Sequence, residues 1–291
     1  MAVGSRVCPY CGALNAADSS KCQRCEKRLP GLLTSSVQDL FSSVLGHEVP
    51  MTKLLAILTV AVFMLGTLGK PNFPIWLGDS VRASELVRWG ALVGSLPWIE
   101  PWRHLAAIFV HFNAIHIVFN MMALASFGRV TEGATGSGRF VLIYVATGVV
   151  GFVVSDVWYL LWYGTIPFLT AGASGAIFGI IGAQAGDAWA RRAPDWRSRV
   201  ARSIGLAVML FLLFGLSRSV SVNNAAHFGG LFSGLAFGYA FGKERRAHRR
   251  DKLFNGIAAG LLVACVVSVA ACNWSPSWQL LRQAEIQQDL R

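Results

Sequence analysis

Charge is scarce in this sequence. Of its 291 residues only 14% are Asp, Glu, Lys or Arg, and just 15 are acidic, whereas soluble domains carry about a quarter charged residues. That scarcity excludes an ordinary soluble fold, and the 54% hydrophobic content and mean hydropathy of +0.50 agree. An apolar leader is also missing: residues 1–33 are polar and cysteine-bearing, so no signal peptide is expected. No internal repeat of the kind that builds two-halved transporters is visible.

What the chain has instead is long apolar runs. Residues 54–68, 140–162, 200–216 and 253–272 are almost free of charge, and each approaches the ~20 residues needed to cross a bilayer. The fold class expected is an all-α polytopic membrane protein, with spans at 53–69, 113–130, 140–162, 174–190, 200–217, 225–242 and 253–272. The segment 70–112 holds Phe73, Trp76, Trp89, Trp98 and Trp102 among Pro and Gly, a composition that places it partly in the membrane interface.

A net charge of +11 would suggest nucleic acid in a soluble protein. Here the basic residues gather in short loops. Arg191, Arg192, Arg197 and Arg199 lie in one, and Lys243, Arg245, Arg246, Arg249, Arg250 and Lys252 in another. Residues 163–173 hold none and 218–224 only Arg218. Positive loops stay in the cytoplasm, so seven spans would leave the N-terminus inside and the tail outside. No nucleic-acid partner is expected; the partner is the bilayer.

Residues 1–29 form a separate unit, joined by a polar linker over 30–52. Cys8-Pro-Tyr-Cys11 and Cys22-Gln-Arg-Cys25 give two CxxC pairs. Four thiolates from two tight turns can surround one zinc ion in tetrahedral geometry, and a unit this small has too little core to fold alone. A structural zinc ribbon is expected, with Cys8, Cys11, Cys22 and Cys25 as ligands and no role for the metal in catalysis. Its partner is not legible. Four free or disulfide-linked cysteines are the competing reading, and disulfides are disfavoured in a reducing cytosol. Cys265 and Cys272, in the last run, read as ordinary buried or lipid-facing thiols.

Polar side chains inside spans are costly and point to function. The fourth run opens with Gly172-Ala173-Ser174-Gly175 and the sixth with Asn223-Asn224-Ala225-Ala226-His227. Both enter from the outer face, so Ser174 and His227 are expected at equal depth. Gly230, Gly234, Gly238 and Gly242 recur every four residues on one helix, and Gly175, Gly179 and Ala183 on the other, small faces that let two backbones touch. On the second run His116 and Asn120 share a face and can aim donors at one spot. Metal binding by His111, His116 and His227 is the competing reading, but no carboxylate accompanies them at ligand spacing. Asp156 is read as a local ion pair or cap, with orientation of His227 as the alternative. Asp187 is read as the partner of Arg191.

At these residues the chain resembles the rhomboid intramembrane serine proteases. Trp102-Arg103, His111, His116, Asn120, Gly172-Ala173-Ser174-Gly175 and Ala226-His227-Phe228-Gly229-Gly230 stand in the family's order. The resemblance covers roughly residues 53–242 as a six-helix catalytic core. Residues 243–291 would then supply a basic loop, a seventh transmembrane helix and a tail. It implies a multi-pass protein of a bacterial cytoplasmic membrane that cleaves single-span membrane proteins near the outer face. Ser174 would be the nucleophile and His227 the general base. The Ser174 N–H, His116 and Asn120 would form the oxyanion site, Trp102-Arg103 would anchor the first loop in the interface, and Gly172, Phe119 and Phe178 would meet substrate. Phe178 stands where family members often have a tyrosine stacked on the imidazole. A non-catalytic rhomboid-like protein that binds membrane clients is the alternative, and it would be natural only if Ser174 or His227 were replaced.

Overall fold

A computed structural model describes residues 5–7, 13–16, 19, 21–26, 50–67, 81–165, 169–192, 195–215, 223–244 and 251–289. It separates into two units, residues 1–49 and 50–291.

In the first unit, β1 (Ser5–Val7) pairs antiparallel with β2 (Leu14–Ala16), Arg6 opposite Asn15. Cys22 is buried, and its sulfur accepts hydrogen bonds from the Arg24 N–H (3.4 Å) and the Asn15 amide (3.6 Å). Cys8 and Cys11 lie outside the described residues, and among the described residues no group of three or more metal-ligating side chains occurs.

The second unit is helical. Its elements are α1 (Met51–Thr67), the short α2 (Ala83–Trp89), α3 (Ala114–Thr135), α4 (Ser137–Tyr163), α5 (Ser174–Arg191), α6 (Trp196–Gly215), α7 (Asn224–Lys243), α8 (Asp251–Trp274) and α9 (Pro276–Asp289). The described residues of each expected span lie on a helix or, at Asn113, cap one, while 68, 69, 216 and 217 lie outside the described residues. Among the described residues α3, α4 and α8 are long and apolar enough to cross a membrane, while α1 is apolar but shorter. The second unit is thus all-α, and its apolar helices are those of a multi-pass integral membrane protein.

Three differences from expectation have local causes. Helix α3 runs five residues further than expected, through a π-helical turn over Leu124–Gly128. The reason lies in Glu132 on its last turns. The carboxylate accepts from the Met51 and Thr52 N–H groups (2.7 and 3.0 Å), the Thr52 hydroxyl (2.7 Å) and the Ser137 hydroxyl (2.6 Å). It thereby satisfies the free amides that open α1, where the helix dipole also favours an anion. Second, the basic segment 191–199 is not all loop, since α6 starts at Trp196 and Arg199 pairs with Asp195 one turn away. Third, the tail is helical from Pro276, a residue suited to a first helical position because its missing N–H would be unpaired there anyway.

The centre of the bundle is the pair α5 and α7. A Cβ on Gly230, Gly234 or Gly238 would overlap the carbonyl oxygens of Gly175, Gly179 and Ala183, and one on Gly182 or Gly186 those of Leu231 and Leu235. The glycine stripes therefore serve the close approach expected of them, and 12 of the 18 residues of α5 are buried. Helix α4 packs on the same pair, its Gly151 set against the Ala226 carbonyl. Cys265 and Cys272 are buried in α8, and Asp187 pairs with Arg191 at 2.7 Å.

Residues 81–113 fold into short helical turns with an interior of their own. Trp98, Ile99 and Trp102 are exposed, while Phe73 and Trp76 lie outside the described residues. Arg103 departs from the expected interfacial anchor: it is fully buried and ion-paired with Glu100 at 2.6 Å.

Candidate active site

Ser174 is the first residue of α5, where backbone N–H groups have no partner within the helix. Asn223 caps α7, its side chain accepting from the Ala226 N–H at 3.1 Å, and His227 follows one turn later. Because glycine lets α5 and α7 touch, the two side chains meet: His227 Nε2 lies 2.8 Å from Ser174 Oγ. The Phe178 ring stacks on the imidazole, centroids 4.3 Å apart and planes within 8°. That fixes the ring plane without a hydroxyl. His227 is buried, and its Nδ1 meets no polar partner among the described residues. Asp156 does not orient it, because its carboxylate binds His104 Nε2 at 2.9 Å. Asp156 thus pairs locally with His104 and not with His227.

The loop before Ser174 passes directly over α3. Gly172 has φ +130°, a conformation that side chains disfavour. A Cβ there would lie 2.8 Å from His116 Cε1, 2.9 Å from His116 Nε2 and 4.0 Å from Asn120 Nδ2. His116 and Asn120 thus face the segment that carries the nucleophile. Both are also built into α3: the His116 N–H is capped by the Asn113 side chain (2.9 Å), and Asn120 Nδ2 donates to the His116 carbonyl (3.1 Å). His111, weighed as a metal ligand, is buried with its Nε2 3.5 Å from the Ala173 N–H and its ring 4.8 Å from that of His116. It supports the loop from beneath. Phe119 sits on α3 with half its surface exposed, outside the set that converges on Ser174.

A second layer holds this arrangement. Thr170 and Leu92 exchange two backbone hydrogen bonds (2.9 and 2.8 Å), the Gly172 N–H donates to the Ala107 carbonyl (2.9 Å), and Asn223 Nδ2 donates to Ser155 (2.6 Å) and Thr170 (3.3 Å). Sequence reasoning did not find Glu100, Thr170 or Ser155. No spacing rule links residues so far apart.

Outside the spanning helices, Glu100 and His104 have displaced pKa values. Burial pushes Glu100 up, but hydrogen bonds from Ser275 and Ser277 and the Arg103 charge outweigh it and hold it below the usual carboxylate range. Burial likewise pulls His104 down, yet its bonds to Asp156 and the Pro101 carbonyl and the Asp156 charge leave it raised.

Comparison with known proteins agrees with this geometry. A rhomboid domain matches residues 99–244, half of the chain. The chain is 39% identical to the rhomboid protease GluP of Bacillus subtilis over 155 residues, 53% of this chain and 29% of that protein. It is 28% identical to the rhomboid protease GlpG of Klebsiella pneumoniae over 197 residues, 66% of this chain and 63% of that one. With GlpG of Pectobacterium atrosepticum it shares 27% identity over 187 residues, 62% and 59% of the two chains. These matches span from under a third to under two thirds of the relatives' own lengths. With the domain matched across the helices that bear Ser174 and His227, the chain belongs to the rhomboid family.

Proposed function

We propose that this chain is an intramembrane serine endopeptidase that cleaves single-span membrane proteins near the outer face of the bilayer. The observation that carries the proposal is the 2.8 Å contact between His227 Nε2 and Ser174 Oγ at the entry ends of two interlocked helices. Nε2 takes the Oγ proton as Oγ attacks the scissile carbonyl, and returns it to the leaving amine as that C–N bond breaks. The resulting ester is hydrolysed by water, activated by the same nitrogen. Negative charge on the carbonyl oxygen develops beside the Ser174 N–H, at the positive end of the α5 dipole, with His116 and Asn120 as side-chain donors. Gly172 leaves room for that oxygen, Phe178 keeps the imidazole in plane, and Phe119 lines the way in from lipid.

In this reading seven helices cross the membrane and the N-terminus is cytoplasmic, supported by the ten basic residues in two loops against one in the opposite pair. The N-terminal unit is a structural zinc ribbon with Cys8, Cys11, Cys22 and Cys25 as ligands, supported by the paired CxxC spacing and the N–H groups directed at the Cys22 sulfur. The metal stabilises that fold and takes no part in proteolysis.

The test is cleavage of a single-span model substrate in proteoliposomes. Wild type should cut it, and Ser174→Ala and His227→Ala should each abolish cutting while remaining folded. Substrate binding without cutting by wild type would favour the client-binding alternative instead.

A further inference from the structure

We propose that residues 273–277, between α8 and α9, form a clasp that positions the Ser174 loop by closing on the buried Glu100–Arg103 pair. The proposal rests on the proteolytic reading only for its kinetic consequence.

Arg103 is 0% and Glu100 5% exposed, and charges so buried cost free energy unless hydrogen-bonded on every side. Within the 81–113 segment the pair is incomplete. Arg103 Nε meets Glu100 Oε2 (2.6 Å) and Nη1 meets the Val87 carbonyl (2.6 Å), which leaves Nη2 and the second carboxylate oxygen. Both are satisfied from the far end of the chain. The Ser275 hydroxyl donates to Glu100 Oε1 (2.6 Å) and accepts from Arg103 Nη2 (3.2 Å), and the Ser277 hydroxyl donates to the same Oε1 (2.6 Å). A second tether runs beside them: Arg88 Nε donates to Asn273 Oδ1 (2.9 Å), and the Arg88 guanidinium lies 5.1 Å from the centre of the Trp278 ring.

The clasp reaches the nucleophile through bonded backbone. Arg103 holds the Val87 carbonyl at the end of α2, and Leu92, five residues on, is locked to Thr170 by two hydrogen bonds. The turn begun by Arg103 runs on to Ala107, whose carbonyl holds the Gly172 N–H. Both threads from Arg103 therefore end within four residues of Ser174. Ser275 and Ser277, past the end of α8, complete the hydrogen bonding of an ion pair that residues 81–113 satisfy only in part, and so fix where the nucleophile's loop sits. Residues 273–277 touch no reacting atom; they are positioning residues.

The experiment uses the full chain in proteoliposomes, comparing wild type with the double variant Ser275→Ala/Ser277→Ala and the single variants Ser277→Ala and Ser277→Thr. Amide hydrogen exchange reads the clasp independently of activity. Thr170 and Gly172 should exchange at least about tenfold faster in the double variant, with α6 unchanged. Unchanged exchange at those amides would overturn the proposal, whether or not the protein proves to be a protease. Turnover reads the consequence: kcat should fall about tenfold with KM within about twofold, inside the 10²-fold that a misplacement of about 1 Å can cost. Ser277→Thr, which restores the hydroxyl, should recover what Ser277→Ala loses. A Thr variant as impaired as the Ala variant would also overturn the clasp, as would losses that merely follow a lowered melting temperature. Failure of wild type to cleave would instead strike the proteolytic reading and leave the exchange result to decide the clasp.

Discussion

The α5–α7 interface and the first outer loop solve the same problem, holding part of one active site, by opposite means. Between α5 and α7 the tolerance is set by steric exclusion: carbonyl oxygens of one helix rest where side chains of the other would be, and few polar bonds are involved. In the loop the tolerance is set by buried charge and hydrogen bonds, with Glu100, Arg103, His104 and Asp156 each close to fully buried. Glycine contact needs only a repeat within each helix. A buried ion pair needs partners from wherever the chain supplies them, here 172 and 175 residues away.

The comparison can be broken first at the helix interface. Gly234→Leu places a branched side chain into the Gly179 carbonyl, which leaves no local adjustment short of separating the helices. The expected outcome is loss of the Ser174–His227 contact and of all cleavage, with a sharply lowered melting temperature. Activity within about tenfold of wild type would show that the close approach is not required.

Next in size are the oxyanion donors. Removing His116 or Asn120 by alanine substitution should lower kcat about 10²–10³-fold with little change in KM. Melting temperatures measured on the same samples distinguish this from a packing role: a destabilised protein with near-normal turnover at low temperature would show that these side chains hold α3 and do not stabilise the intermediate.

A smaller effect is expected at the opposite end of the bundle, where Glu132 closes the start of α1. Glu132→Ala removes the acceptor for four donors, and the stranded groups should cost about 2–3 kcal/mol of unfolding free energy while kcat at low temperature stays near that of wild type. A large loss of kcat without destabilisation would contradict the structural role.

The smallest expected effect is pH dependence in the loop. Because the folded-state pKa of His104 is raised, protonated His104 paired with Asp156 stabilises the fold fully below the unfolded value of about 6.5. That contribution is lost as pH rises through the higher folded value. The wild-type melting temperature should therefore decline as pH rises above the unfolded value, and His104→Gln should flatten the decline. A His104→Gln curve parallel to wild type would remove the pair from the account.

Legibility in the sequence follows the same division. The helical character of the apolar runs, the contact of Ser174 with His227, the glycine stripes and the Asp187–Arg191 pair are readable, because each depends on periodicity, on charge in a short loop or on a motif a few residues long. The side chains that complete the outer loop are not. Ser275 and Ser277 are ordinary polar residues after an apolar run, and nothing in their neighbourhood signals Glu100. Glu132 was missed for a related reason: a carboxylate near a helix end reads as a solvated charge until the start of α1 is placed against it. The family resemblance implies an interfacial Trp102-Arg103 pair, but only Trp102 is exposed, while Arg103, at the start of the turn over Arg103–Ala106, is fully buried.

The most direct test of the central claim, that Ser174 is a nucleophile activated by His227, is covalent labelling of the full chain by a fluorophosphonate, read by peptide mass spectrometry. The account predicts one modified residue, Ser174, with labelling slowed to background in His227→Ala although that variant remains folded. Modification at another residue, or undiminished labelling of Ser174 without the imidazole, would contradict it.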